Sequence, residues 1–61
     1  MKHRIGDHVE LKQDRNFGDD HVSAGAKGRV TDLAPMFDCC WVRFEVGIHR
    51  PVLVPDDQLL S

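Results

Sequence analysis

The sequence contains no tyrosine, only two cysteines among 61 residues, and no long apolar run. Two cysteines are too few for the multi-bridge framework of a small secreted domain, so we expect a cytoplasmic protein in a reducing compartment. The opening residues, MKHRIGDHVEL, have no apolar stretch typical of a signal peptide, and no segment is long enough to cross a bilayer. These absences argue against a secreted or membrane protein.

The chain also lacks an excess of basic residues. Eight Lys and Arg are scattered among ten Asp and Glu, which gives a net charge of −2. Nucleic-acid binding needs a cationic surface that releases counterions, so this balance argues against a nucleic-acid partner. With 61 residues, the chain has room for one domain, residues 1–61, whose small core leaves its stability marginal.

Helical periodicity is poor throughout, and short apolar alternations are separated by Gly, Pro, Asn and Asp. This pattern is typical of a small all-β protein. Residues 13–25, QDRNFGDDHVSAG, form a long polar loop, and PDDQ at residues 55–58 is typical of a tight 3₁₀ turn. The predicted strands cover residues 7–12, 27–34, 38–46, 51–54 and 59–60.

The stretch DCCWVRFEV, residues 38–46, carries most of the information about the core. Successive side chains in a strand point to opposite faces, so every second residue shares a face. The apolar set should face the core: Cys40, Val42, Phe44 and Val46. The opposite set then faces outward: Cys39, Trp41, Arg43 and Glu45. The predicted core centre is Val30, Val42, Phe44 and Val54.

Three short stretches carry a resemblance to known folds. GAKGRV, residues 25–30, resembles the start of the second strand in many SH3-like barrels. WVRFE, residues 41–45, resembles the central strand of the small barrel protein of photosystem I and of the nitrile hydratase β-chain barrel. LVPDDQLL, residues 53–60, resembles the end of most SH3-like domains. The resemblance implies a small SH3-like barrel of about five antiparallel strands, with a 3₁₀ turn before the last strand.

Several relatives of that fold have features that this chain lacks. Peptide-binding SH3 domains use a tyrosine-rich groove, and KOW-type barrels are usually basic. Plasmid-borne type II dihydrofolate reductase also resembles this fold, and its active pore forms in a tetramer from a Gln-Ile-Tyr run. The comparable segment here, HRPVLVP, contains none of those residues. We keep an oligomeric enzyme of this kind and a nucleic-acid-associated barrel as alternatives.

Residues that could carry chemistry do not form recognisable motifs. No Cys-x-x-Cys or His-x-x-x-His spacing occurs, so we expect no metal and no cofactor. DRNFGDD, residues 14–20, departs from the EF-hand pattern. Asp56 and Asp57 follow Pro55 in a turn, where local hydrogen bonding favours Asp. The metal candidates, which we expect to face solvent, are His3, His8, His21, His49 and Cys39.

Nucleophilic catalysis would require Cys39 beside a base, and His49 could approach it from the next strand. A shallow barrel of this size rarely forms a pocket that excludes water, so we predict no enzyme activity. We predict instead an interaction module, with a protein partner or self-association, because Trp and Arg are enriched at binding hot spots. The predicted contact residues are Trp41, Arg43, Leu53, Met36 and Phe37. In the alternative, the 13–25 loop carries Phe17 over Trp41 and covers it.

Overall fold

The computed structural model describes all 61 residues and contains strands and two 3₁₀ turns but no α-helix. No helix is long and apolar enough to cross a membrane. The 3₁₀ turns cover Pro35–Phe37 and Asp56–Gln58. The strands are β1 (His8–Leu11), β2 (Arg15–Phe17), β3 (Asp20–Val22), β4 (Lys27–Ala34), β5 (Cys39–Phe44), β6 (Val52–Pro55) and β7 (Leu59–Leu60).

The strands form a five-stranded antiparallel sheet in the order β6-β5-β4-β1-β7 and a separate two-stranded sheet, β2-β3. The predicted all-β class, the five antiparallel strands and the 3₁₀ turn before the last strand are therefore confirmed. Neither sheet closes on itself, because β6 and β7 remain at opposite edges. The closed barrel that the resemblance implied is not shown.

The predicted loop at residues 13–25 was wrong in part, because it contains the β2-β3 hairpin. Its two strands have three residues each and pair Arg15 with Val22 and Phe17 with Asp20. Gly18 has a φ of +67° in the connecting turn, a conformation that glycine adopts at little cost. Strands this short and polar show no apolar alternation, so the pattern in the sequence could not reveal them.

The core is a cluster of eleven buried residues that includes all four predicted central residues and Cys40. Its members are Val9, Leu11, Val22, Val30, Cys40, Val42, Phe44, Ile48, Val52, Val54 and Leu59. The prediction that Val46 faces the core was wrong, because this residue is 67% exposed. Strand β5 ends at Phe44, and Gly47 turns the chain with a φ of +88°, so that Ile48 is buried instead.

Gly28 allows β4 and β5 to approach each other closely. A Cβ at this position would lie 2.7 Å from the carbonyl oxygen of Arg43 and 2.9 Å from a methyl carbon of Val42. Backbone cannot give way as the end of a flexible side chain can, so any side chain would push the two strands apart. The pairing of β4 with β5 therefore depends on glycine here.

Replacing Phe44 with alanine should lower the free energy of unfolding by about 3–5 kcal/mol, the usual cost of truncating a buried aromatic ring. Val46→Ala, two residues further along, should change it by less than about 0.5 kcal/mol, because that side chain is exposed. Urea unfolding of both variants measures the difference. Equal losses would contradict the end of β5 at Phe44.

Candidate interaction face

The outer side of β5 carries the only tryptophan of the chain. Trp41 is 39% exposed, Arg43 is exposed, and Cys39 is half-buried, whereas Cys40, Val42 and Phe44 on the inner side are buried. This is the alternation that the sequence predicted. It places a large aromatic ring where the core cannot cover it.

A β-bulge at Thr31 determines which residue of β4 lies opposite Trp41. The register shifts between Val30 and Asp32, so Asp32 pairs with Trp41 while Leu33 pairs with Cys40. The Thr31 hydroxyl donates a hydrogen bond of 3.3 Å to the Trp41 carbonyl oxygen. Because of the extra residue, Leu33 packs against the core and Asp32 stands opposite the tryptophan.

On its other side, Trp41 pairs with Leu53 of β6. Further along the same two strands, Asp38 and Asp56 form a hydrogen-bonded pair, because the Asp56 amide donates to the Asp38 carbonyl oxygen at 2.8 Å. Hydrogen-bonded and non-hydrogen-bonded pairs alternate along an antiparallel ladder, and Trp41 with Leu53 lies three pairs from Asp38 with Asp56. Trp41 and Leu53 therefore form a non-hydrogen-bonded pair, the type whose side chains are closer. Leu53 is half-buried, as expected for a residue that lies beside the indole.

The β2-β3 hairpin forms one wall of a groove beside this pair. Phe17 is half-buried, with its ring centroid 6.2 Å from that of Phe44, and it packs against the edge of the core. Arg50 donates hydrogen bonds to the Phe17 carbonyl oxygen and to the Asp20 carboxylate. The groove is lined by Phe17, Gly18, Trp41, Arg50, Val52 and Leu53. Phe17 thus contributes a side wall of the groove and leaves Trp41 partly exposed.

Two arginines, Arg29 of β4 and Arg43 of β5, lie in the cross-strand pair next to Trp41 on the same face and have no acidic partner. Arg29 of β4 lies directly opposite Arg43 of β5, and His8 of β1 lies opposite Arg29. Like charges in directly opposed positions destabilise a sheet. The side chain of Arg29 hydrogen-bonds only to the His8 ring, at 3.2 Å, and neither arginine belongs to any of the three ion pairs. Two cations are therefore available beside Trp41.

The other end of the face carries two exposed apolar side chains beside charged groups of both signs. Met36 and Phe37, in the first 3₁₀ turn, are 92% and 71% exposed. Phe37 lines an open cavity of mixed charge, whose other lining residues are Met1, Lys2, Asp38, Cys39, Pro55, Asp56 and Asp57. We call the surface formed by Trp41, Leu53, Arg29, Arg43, Met36 and Phe37 the Trp41 face.

A buried polar cluster lies behind this face, and sequence reasoning missed it. Asp56 was expected to make local turn contacts and His3 to face solvent, and both expectations were wrong. His3 is 2% exposed, and its Nδ1 donates to Asp56 Oδ1 at 2.7 Å. The Lys2 amide donates to Asp56 Oδ2 at 3.0 Å, and the Cys40 thiol donates to Oδ1 at 3.5 Å. No local pattern signals the bond of His3 to Asp56, because the two residues are 53 positions apart.

The surroundings of this cluster shift the pKa values of its thiol and its carboxyl group in opposite directions. Burial and the hydrogen bond to Asp56 raise the pKa of Cys40 from 9.0 to about 11, the opposite of an activated nucleophile. Burial alone would raise the pKa of Asp56, but the hydrogen bonds from His3, Lys2 and Cys40 lower it from 3.8 to about 2. His3, Cys40 and Asp56 each place one potential ligand atom within 4.8 Å of the other two, and the 2.7 Å contact of His3 with Asp56 is a hydrogen bond.

Among the remaining candidates, His21 approaches Asp14, with 3.8 Å between Nε2 and Oδ2. Asp14 accepts a hydrogen bond from the Ala24 amide and Asp20 pairs with Arg50, so these two carboxylates of the DRNFGDD segment have separate partners. His21 bonds to Asn16 and His49 is exposed. The Cys39 thiol donates to the Phe37 carbonyl oxygen at 3.2 Å, and no hydrogen bond joins it to His49.

Comparison with protein-family models, with curated proteins and with solved structures finds no match to this chain.

A thiol reagent should modify Cys39 in the folded protein and Cys40 only after unfolding. Cys40 is fully buried with a raised pKa, whereas Cys39 is half-buried on the outer face. Mass spectrometry after timed labelling counts the modified thiols. In Cys39→Ser the folded protein should be inert, and rapid labelling of that variant would contradict the burial of Cys40.

Asp56→Asn should lower the free energy of unfolding at pH 7 by about 1.5–3 kcal/mol, because it removes hydrogen bonds to a charged group. The folded pKa lies below the ordinary value, so the carboxylate stabilises the fold above about pH 4 and loses this effect as the pH falls towards 2. Urea unfolding at pH 7, 4, 3 and 2 should therefore show the parent and the variant converging. A constant difference down to pH 2 would contradict this role.

Proposed function

We propose that this chain is a small SH3-like, non-enzymatic interaction module that binds a protein through the Trp41 face. The fold assignment is supported by the strand order β6-β5-β4-β1-β7, the long excursion between β1 and β4, and the 3₁₀ turn before β7. The resemblance of residues 25–30, 41–45 and 53–60 to SH3-like domains agrees with this order.

One observation carries the functional proposal: the sole tryptophan is 39% exposed on the side of the sheet away from the core. An aromatic side chain buries about 150–250 Å² when it is fully covered, so a partner that covers Trp41 gains a substantial hydrophobic contribution. Leu53 and Phe17 give the ring an apolar surrounding, and Arg43 supplies a polar rim. An apolar centre with a polar rim is the usual anatomy of a protein interface.

The polar cluster supports the non-enzymatic part of the proposal. Its thiol is buried and adjoins a carboxylate, and its histidine bonds to that carboxylate rather than to the thiol. A nucleophilic cysteine requires access to substrate, and Cys40 is fully buried. The cluster instead fixes the first residues of the chain against β5 and the second 3₁₀ turn.

Trp41→Ala should leave the fold intact and reduce binding of the physiological partner at least about tenfold, as expected for a hot-spot aromatic. The matched control is Ile5→Ala, because Ile5 is a 61% exposed apolar residue in the segment before β1. Tagged parent and variants are expressed in the source cells, and the co-purified proteins, including a differently tagged copy of this chain, are quantified.

The decisive pattern is a protein retained by the parent and by Ile5→Ala but lost with Trp41→Ala, with thermal melts of all three within a few degrees. If Trp41→Ala unfolds, Trp41 belongs to a small core under the hairpin. If it folds and keeps every partner, binding does not use this face.

A further inference from the structure

Three potential metal ligands of different types meet beneath the segment that precedes β1. His3 lies in that segment, Cys40 in β5 and Asp56 in the second 3₁₀ turn, and all three are buried. One ligand atom from each lies within 4.8 Å of the other two. The Cys40 thiol and the His3 ring both bond to one oxygen, Asp56 Oδ1, at 3.5 and 2.7 Å. The three side chains therefore converge on one small volume.

One ring nitrogen of His3 has no partner in the protein. Nδ1 bonds to Asp56, but Nε2 is buried and makes no hydrogen bond. The residue is only 2% exposed, so bulk water does not solvate this atom. Buried polar atoms nearly always have a partner, and where the protein supplies none, an ion or an ordered water is one explanation. The cluster thus contains a metal-binding nitrogen that no protein group uses.

We propose that His3, Cys40 and Asp56 bind a zinc ion through an imidazole nitrogen, a thiolate sulfur and a carboxylate oxygen. These are the donor groups of protein zinc sites, in which three protein ligands with a water in the fourth position is a common arrangement. Thiolate and imidazole select against Mg²⁺ and Ca²⁺, which take oxygen ligands. The site is independent of the Trp41 face, because Cys40 points to the inner side of β5.

The distance between thiol and carboxylate already fits a tetrahedral zinc ion. With the usual bond lengths, a sulfur and an oxygen bound to one zinc ion lie about 3.6 Å apart, and a nitrogen and an oxygen about 3.3 Å apart. Cys40 Sγ and Asp56 Oδ1 are 3.5 Å apart. Nδ1 of His3 is closer to that oxygen than zinc requires, at 2.7 Å, because a proton lies between the two atoms.

A half-turn of the His3 ring removes this discrepancy and brings the unpartnered nitrogen to the ion. Rotation about the Cβ–Cγ bond puts Nε2 where Cε1 now lies, next to the present position of Nδ1. For a nearly linear hydrogen bond, that position is about 3.6 Å from Asp56 Oδ1, close to the separation that zinc requires. His3 precedes β1, so the rotation changes no strand pairing.

The charge of the cluster also favours a divalent cation. The carboxylate of Asp56 accepts three hydrogen bonds and carries one buried negative charge beside a neutral thiol and a neutral imidazole. Zn²⁺ adds two positive charges, and Cys40 releases its proton to solvent, so the loaded cluster is neutral. A buried site without net charge is less costly than one with it. The Lys2 amide, 3.0 Å from Asp56 Oδ2, holds the carboxylate in place for the ion.

An open cavity beside Asp56 gives the fourth ligand access to the ion. Asp56 lines this cavity together with Met1, Lys2 and Asp57, and its side chain is 11% exposed. A water molecule that enters from the cavity reaches the carboxylate side of the cluster and completes the tetrahedron. The site therefore has three protein ligands and an entry path.

Co²⁺ is the probe for this site, because its bond to a thiolate gives a charge-transfer absorption in the near ultraviolet that nitrogen and oxygen ligands do not give. The protein is unfolded in urea and refolded with Co²⁺, and a chelating dye then measures the affinity for Zn²⁺ by competition. The parent should bind one ion and show the thiolate band. Cys40→Ser keeps a hydroxyl that bonds to Asp56 but lacks the thiolate. It should lose the band and bind Zn²⁺ at least about tenfold more weakly.

Two variants are matched controls. Cys39→Ser removes the neighbouring thiol on the outer side of β5, and His21→Ala removes an exposed histidine that lies 3.8 Å from Asp14. Both should bind the ion as the parent does, whereas His3→Gln should lose affinity as Cys40→Ser does. Thermal melts with a chelator show that each variant is folded. Zn²⁺ should raise the melting temperature of the parent and of both controls but not that of Cys40→Ser.

A parent that binds no ion after refolding, or that binds one without the thiolate band, would overturn the inference. Because the chain has only two cysteines, a band in folded Cys39→Ser identifies Cys40 as the ligand even if Cys40→Ser fails to fold. Loss of the band in Cys39→Ser would instead make Cys39 the ligand and contradict the site. Binding that His21→Ala loses and His3→Gln keeps would place the ion on the surface.

Discussion

The two-residue alternation along β5 determines both the core and the outer face of this molecule. Cys40, Val42 and Phe44 point inward and are buried, whereas Cys39, Trp41 and Arg43 point outward and are not. β5 pairs with β4 on one side and with β6 on the other, so its register also fixes which residues surround Trp41. A shift of one residue would bury the tryptophan and the arginine and expose the core, which makes this register the constraint on which the other features depend.

Two further features stabilise that register. The absence of a side chain at Gly28 lets the β4 backbone approach Arg43 and Val42. The Asp56 carboxylate joins three parts of the chain that are distant in sequence, because it accepts hydrogen bonds from Lys2, His3 and Cys40. A buried carboxylate is costly unless its oxygens are satisfied, and here three donors satisfy them. The N-terminal segment and the second 3₁₀ turn are thus fixed against β5, and the outer face of β5 is left free.

The features that were predictable from the sequence are those with a local signal. The bounds of β4, the inward side of β5 up to Phe44, and the 3₁₀ turn after Pro55 follow from alternation and turn chemistry. The strands of the β2-β3 hairpin are too short to show an apolar alternation. The burial of Ile48 in place of Val46 depends on where β5 ends. The bond of His3 to Asp56 and the row of Arg29 and Arg43 arise only from the pairing of distant segments. The sequence indicated Trp41 and Leu53, because alternation along their strands places both outward.

Collisional quenching of the single tryptophan tests the central claim, that Trp41 is an exposed contact residue, most directly. With no tyrosine in the chain, its emission reports one side chain without interference. A neutral quencher such as acrylamide should reach Trp41 readily in the protein alone, as expected for a residue that is 39% exposed, and less readily once a partner covers the face. Strong protection of Trp41 in the isolated protein would show that the chain covers its own tryptophan and would contradict the account.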